Sequence, residues 1–192
     1  AIALEGRRID HLPAHRRARA GLVRTFQSVE LFDDLDVTEN LLVAARAPRW
    51  WSPVADALAP RRTAQVAADT VDAAIALVGI EDLRHAQPAA LSHGQRRLVG
   101  VARALAAQPK VLLLDEPAAG LDPTETEQLG VLVRRLPTEG IGVVLIDHDM
   151  ALVLDVCDRI TVLDFGRVIA EGTPAQISGD PAVVAAYLGG SA

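Results

Sequence analysis

The chain has 192 residues, half of them hydrophobic, with a formal net charge of −6, which suits one domain with a packed core. An acidic balance excludes the sequence-independent nucleic-acid binding that rests on clustered cations. No apolar run approaches the roughly 18 residues that a membrane-spanning helix needs. A single cysteine, Cys157, excludes an internal disulfide and offers no metal-site spacing; its apolar, helix-like surroundings predict a buried, inert thiol.

In chain order, Ile2 to Ile9 alternates around Glu5-Gly6 like the tip of a hairpin. Pro13 to Gly21 is basic and Ala-rich with a helical look, and Arg16, Arg17 and Arg19 read as a solvated face. Leu22 to Gln27 is a short extended candidate, and Val37-Thr38-Glu39-Asn40 opens an apolar helix to Arg46. Residues 47–60 carry three prolines and Trp50-Trp51, which predicts a loop or insertion. Thr63 to Val78 has helical apolar spacing and stops at Gly79. Ser92 opens a helix running to about Ala107. Beyond residue 108 strands and helices alternate: strand Val111 to Asp115, helix Glu125 to Leu136, strand Val143 to Asp147, helix Met150 to Cys157. A hairpin then turns at Gly166, and two short helices start at Pro174 and Pro181. Alternation of this kind marks an α/β domain. Short apolar strands ending in Asp predict a parallel sheet buried on both faces. The strand-free stretch 36–107 reads as a helical subdomain set into a core made of 1–35 and 108–192.

Two segments carry chemistry. In Val111-Leu112-Leu113-Leu114-Asp115-Glu116-Pro117 an apolar strand delivers two adjacent carboxylates to the carboxyl edge of the sheet, where α/β proteins place ligands. An Asp there can hold Mg²⁺ through its water shell, and a second carboxylate can polarise an attacking water. The same pattern also fits a strand leaving into an acidic turn. In Leu91-Ser92-His93-Gly94-Gln95, Ser92 is placed to cap a helix whose first amides form an anion site. An ordinary capped helix start has the same appearance.

Taken together these segments resemble the ATP-binding-cassette (ABC) ATPases. Leu91 to Gln95 is similar to the LSGGQ signature with His93 at its variable third position, and Val111 to Pro117 looks like the Walker B strand. Gln95 and Asp115 stand 20 positions apart, joined by a helix ending Ala102-Arg103-Ala104-Leu105. Ala119-Gly120-Leu121-Asp122 resembles the D-loop, Asp147-His148-Asp149 the switch-histidine loop, and Arg24-Thr25-Phe26-Gln27 the Q-loop. Leu114 to Asp122, His148-Asp149-Met150, Cys157 to Ile160 and Ile169 to Pro174 are most like importers of branched-chain amino acids.

The resemblance implies a partial P-loop NTPase core of α/β class with an inserted helical subdomain. It implies ATP and Mg²⁺ as ligands, sandwiched between this chain and a second ABC ATPase subunit. Asp115 would hold Mg²⁺ by way of water, Glu116 would act as general base, and His148 would stabilise charge on the γ-phosphate. Gln27 would sense the metal and the water. Ser92, Gly94, Gln95 and Asp122 would act across the subunit interface. Transmembrane permease subunits and, indirectly, a substrate-binding protein are the further partners implied, with the ATPase peripheral at the cytoplasmic face of a bacterial inner membrane. No nucleic acid is implied.

The resemblance fails at one place. No GxxxxGK(S/T) phosphate loop occurs, and the sole lysine is Lys110. The expectation is a chain that begins roughly 50 residues into a complete domain, binds ATP poorly and does not hydrolyse it alone. Two other readings are a degenerate cassette that binds nucleotide only within a larger assembly, and a DNA-repair or chromosome-organising relative. Gln27 and Leu91 are only 64 positions apart without sustained heptads, unlike the long coiled coils of the latter.

Overall fold

The computed structural model describes residues 1–25, 30–46 and 60–188. The first hairpin pairs β1 (Ala3–Leu4) with β2 (Arg7–Arg8). Glu5 and Gly6 both have positive φ, 49° and 76°, as a two-residue primed turn requires. Helix α1 (Ala14–Arg19) follows. Arg17, expected on a solvated face, instead turns back. Its guanidinium donates to the carbonyls of Leu12 and Asp10 at 2.7 and 2.6 Å, because those turn carbonyls have no strand partner. Arg8 ion-pairs with Asp10 at 2.7 Å and holds its carboxyl below the usual carboxylate range.

The sheet that positions the site is parallel, in the order β3 (Leu22–Arg24), β4 (Val111–Asp115), β5 (Gly142–Ile146). Its register sets Arg24 beside Leu113 and Asp115 beside Ile146. Parallel neighbours need long crossovers. The crossover from β3 to β4 contains α2 (Val37–Ala45), α3 (Pro60–Val78) and α4 (His93–Ala106); that from β4 to β5 contains α5 (Pro123–Arg135). No strand lies between α2 and α4 among the described residues. Helix α6 (Met150–Val156) leads to the antiparallel hairpin β6 (Ile160–Asp164) and β7 (Arg167–Gly172), and then to α7 (Pro174–Ser178) and α8 (Pro181–Leu188). Trp50 and Trp51 lie outside the described residues.

One apolar cluster joins both crossovers to the sheet: Val37 and Leu41 of α2, Ile75 of α3, Val99 and Leu105 of α4, Leu112 and Leu114 of β4, Leu129 and Leu132 of α5. Each fully buried Leu contributes about 2 kcal/mol of apolar transfer. Asn40 is a polar residue buried inside this region, and its amide is satisfied. It donates to the carbonyls of Phe32, Leu35 and Asp36 and accepts from the Phe32 amide. It thereby fixes the loop that enters α2.

Burial on both faces of the sheet was expected and is not what the structure shows. Leu112 and Leu114 are buried, but Val144 and Ile146 of β5 are 49% and 60% exposed. Cys157 is likewise half-buried rather than buried. Burial, and then the charge of Asp158, push its thiol pKa up, which agrees with the inert character expected of it. No helix among the described residues is long and apolar enough to cross a membrane.

Candidate functional site

Parallel pairing brings the carboxyl ends of β3, β4 and β5 to one edge of the sheet. Thr25, Asp115-Glu116 and Asp147-His148 therefore leave the sheet side by side. The Thr25 hydroxyl donates to the Leu113 carbonyl and accepts from the Asp115 amide, both at 3.4 Å, and its own amide donates to Leu113 at 2.9 Å. The side chain of Asp115 is 18% exposed, and the Arg24 guanidinium lies 2.5 Å from its Oδ2.

Glu116 ends the strand in a left-handed conformation, φ 47°. That region costs a non-glycine residue roughly 1–2 kcal/mol, and such strain collects at functional sites. Neighbours hold it there. Its amide donates to the Ile146 carbonyl at 2.7 Å, and its carbonyl accepts from Arg97 of α4 at 3.1 Å. The kink turns the chain out of the sheet into the loop 117–122.

On the next strand Asp147 is the organising group. Its side chain is 1% exposed. One oxygen accepts from the Ala118 amide at 3.2 Å, the other from the Asp149 amide at 3.0 Å. Asp147 so ties the exit of β4 to the turn that carries His148. The His148 ring is well exposed, with Nδ1 3.7 Å from Asp147 Oδ1. Asp149 caps α6, accepting from the amides of Ala151 and Leu152.

The second group of expected residues gathers at two helix starts. Ser92 caps α4 by a reciprocal box: the Gln95 amide donates to the Ser92 hydroxyl at 3.1 Å, and the Ser92 amide donates to Gln95 Oε1 at 2.9 Å. Both expected side chains thus spend their acceptor atoms on the helix. The donors left over are the Ser92 hydroxyl hydrogen, the Gln95 amide nitrogen and the first-turn backbone amides, which a helix cannot satisfy internally. Asp122 caps α5 in the same way, with Glu125 as the reciprocal partner at 2.9 and 3.0 Å. Gly94 is buried, and the side on which a Cβ would stand is covered by the carboxyl group of Glu125.

Sequence reasoning did not single out Arg97, Glu125 or the buried carboxylate of Asp147. Only the capping pattern Asp122-x-x-Glu125 was legible in principle. The other two act through contacts distant in sequence. Gln27 lies outside the described residues. Among the described residues no three His, Cys, Asp or Glu side chains form a metal cluster. Asp115 stands at the sheet edge mostly buried and already paired with Arg24, so it fits Mg²⁺ only at one remove, through the waters that this ion keeps while its other ligands come from phosphate.

A parallel sheet with two adjacent carboxylates at its edge, and a capped helix start packed on the same loop, is an arrangement that nucleotide-hydrolysing cassettes use. Residues 1–119 match the family model described as ABC transporter, and the chain belongs to that family. It is an ABC-type ATPase with the P-loop NTPase fold. It is 40% identical over 98% of its length to the high-affinity branched-chain amino acid transport ATP-binding protein BraF of Pseudomonas aeruginosa, of which it covers 75%. It is 37% identical, again over 98% of the chain, to the lipopolysaccharide export ATP-binding protein LptB of Haemophilus influenzae, covering 73% of it. Among solved structures, CbiO1 of Clostridium perfringens, part of the transporter complex CbiONQ, superposes with a TM-score of 0.76 at 29% identity, over 95% of this chain and 69% of that one. Residues 167–192 match a further family model, described as branched-chain amino acid ATP-binding cassette transporter.

Proposed function

We propose that this chain supplies ATP hydrolysis to an importer of branched-chain amino acids, and that the edge formed by β3, β4 and β5 is where the γ-phosphate is cut. The observation that carries the reading is the shared edge of Asp115, Glu116 and His148, set by parallel register and locked by Asp147. Asp115 would hold Mg²⁺ through the metal's water shell, with Gln27 as the companion group, and the metal would supply charge neutralisation to the phosphates. Glu116 accepts the proton of the attacking water. His148, exposed at the end of its turn, donates to the γ-phosphate as negative charge builds on it.

The second half of the site is offered to a partner. Ser92, Gly94 and Gln95 present hydroxyl, backbone and amide donors at the positive end of α4, a suitable cap for a phosphate held by a second ABC ATPase subunit. Asp122 faces the same interface. ATP then stabilises the closed pair, and hydrolysis releases it. Transmembrane permease subunits, the cytoplasmic face of the membrane as location and a substrate-binding protein outside complete the assembly.

The transported class rests on the match of residues 167–192 and on the likeness to BraF. The likeness to LptB at nearly the same identity makes the direct test necessary. Uptake of labelled leucine, isoleucine and valine should fall when the gene is deleted and return on complementation. Unchanged uptake with altered export of lipopolysaccharide would defeat the assignment. For the chemistry, Glu116→Gln in the full-length gene product should lower ATP turnover about 10²–10⁴-fold, the usual scale of general-base catalysis, with ATP still bound. Retained turnover removes Glu116 from the role.

A further inference from the structure

The contact between the starts of α4 and α5 points to a device beyond the roles above. A Cβ built on Gly94 would overlap Oε1, Cδ and Oε2 of Glu125. The carboxyl group of Glu125 therefore lies directly on the backbone of the signature turn in the same chain. The same carboxyl accepts the Asp122 amide at 3.0 Å, so it cannot swing away without opening the cap of α5. A reciprocal contact stands beside it. The His93 ring lies over Gly120, where a Cβ would be 3.0 Å from both Cδ2 and Nε2. One turn further along α4, Arg97 holds the Glu116 carbonyl at 3.1 Å. The segment 116–122 is thus gripped by α4 at both ends, and Glu125 closes the grip.

Charge favours the arrangement. A carboxylate placed between two helix N-termini meets two positive dipole ends, each of which stabilises it. The steric requirement is equally plain, since a side chain at position 94 would occupy the space that the carboxyl fills.

We infer that Glu125 is a positioning residue. It locks the phosphate-capping turn 91–95 to the loop 116–122 of the same chain, so that the group offered to the partner's nucleotide and the base acting on the chain's own nucleotide move as one body. Gly94 is glycine to admit Glu125. This rests on the site proposed above, and it assigns to that site an internal coupling between its two halves.

The test is a double-mutant cycle in the full-length gene product: Gly94→Ala, Glu125→Ala, both together, and Glu125→Gln. Melting temperature and the kcat and KM for ATP are read for each. Alone, Gly94→Ala displaces the carboxyl and should lower the melting temperature by about 3 °C, the shift expected for the loss of one cap in a domain of this size. In the Glu125→Ala background it should cost almost nothing, because contacting residues are non-additive. Glu125→Ala should lower kcat about tenfold with KM within about twofold, on the scale set by a misplaced catalytic constellation. Glu125→Gln, which preserves the reciprocal cap, should restore kcat to within about threefold, a tolerance matching ordinary non-disruptive changes. Additive melting shifts for Gly94→Ala and Glu125→Ala overturn the inference. So does a Glu125→Gln variant as slow as Glu125→Ala. The melting cycle is read without nucleotide. If the protein proves to have no ATPase activity, the functional reading fails alone and the packing inference is still decided.

Discussion

The two polar ends of this molecule are built on opposite plans. At the edge of β4 and β5 the expected groups are acids, held by hydrogen bonds between segments distant in sequence: Asp147 to Ala118, the Glu116 amide to Ile146, the Glu116 carbonyl to Arg97. At the starts of α4 and α5 the expected groups, donors on α4 and the Asp122 carboxylate on α5, are held by capping boxes closed within four residues. The first arrangement is strained and depends on tertiary contacts. The second is relaxed and local. An acid edge suits a metal and a water, and a donor-rich helix start suits a phosphate, and the proposed function rests on that contrast.

The largest effect should come from breaking the acid edge at its buried post. Asp147→Ala leaves the amides of Ala118 and Asp149 without their acceptor, and should cost about 3 kcal/mol, since each buried donor left unpaired costs roughly 1–3 kcal/mol. Urea unfolding of the full-length gene product measures it, and Asp147→Asn should recover more than half. A cost no larger than that of a surface substitution would place the edge's order elsewhere.

Strain at Glu116 gives the next contrast. Glu116→Gly relieves a left-handed penalty of roughly 1–2 kcal/mol but also removes the side chain's interactions and adds the chain entropy of glycine, so the unfolding curves should move less than they do for Asp147→Ala. On the role proposed for Glu116, turnover should fall with it by about the same 10²–10⁴-fold as for Glu116→Gln. A loss as large as that of Asp147→Ala would mean that the side chain of Glu116 is a main support of the loop. At the relaxed end, Ser92→Ala should cost about 1 kcal/mol, the ordinary value of an N-cap, and the same unfolding curves report it. A much larger loss would show that the local box is tied into the core.

The smallest effect concerns Cys157. With its thiol pushed up by burial, less thiolate is present in the folded protein than in the unfolded chain at neutral pH. Reaction with a disulfide reagent should be slower in the native state, and the gap should narrow as pH rises and the folded thiol ionises. Equal rates at neutral pH would contradict the shift.

The legible parts of the fold were those whose cause is local. The strand Val111–Asp115 followed from four apolar residues closing on a carboxylate, and the structure returns the same bounds. The start of α4 followed from a Ser at a capping position. The hairpin at its tip Glu5-Gly6-Arg7 followed from alternation, and the stop of α3 followed from Gly79, a residue that accepts positive φ. Arg17 was misread because a basic residue on an Ala-rich helix looks solvated, whereas its guanidinium serves carbonyls of the preceding turn.

What the amino-acid order determined by itself is the inventory: two carboxylates at a strand end, a capped helix start, a histidine after the next strand, and the family these announce. Periodicity, capping and turn chemistry act over a few residues, so they are written in the chain directly. The tertiary structure alone decided that Glu116 is strained, that Asp147 is buried and bridges two loops, that Glu125 covers Gly94, and that β5 exposes Val144 and Ile146. Each of these depends on which distant segment comes to lie alongside, and apolar spacing cannot name the neighbour.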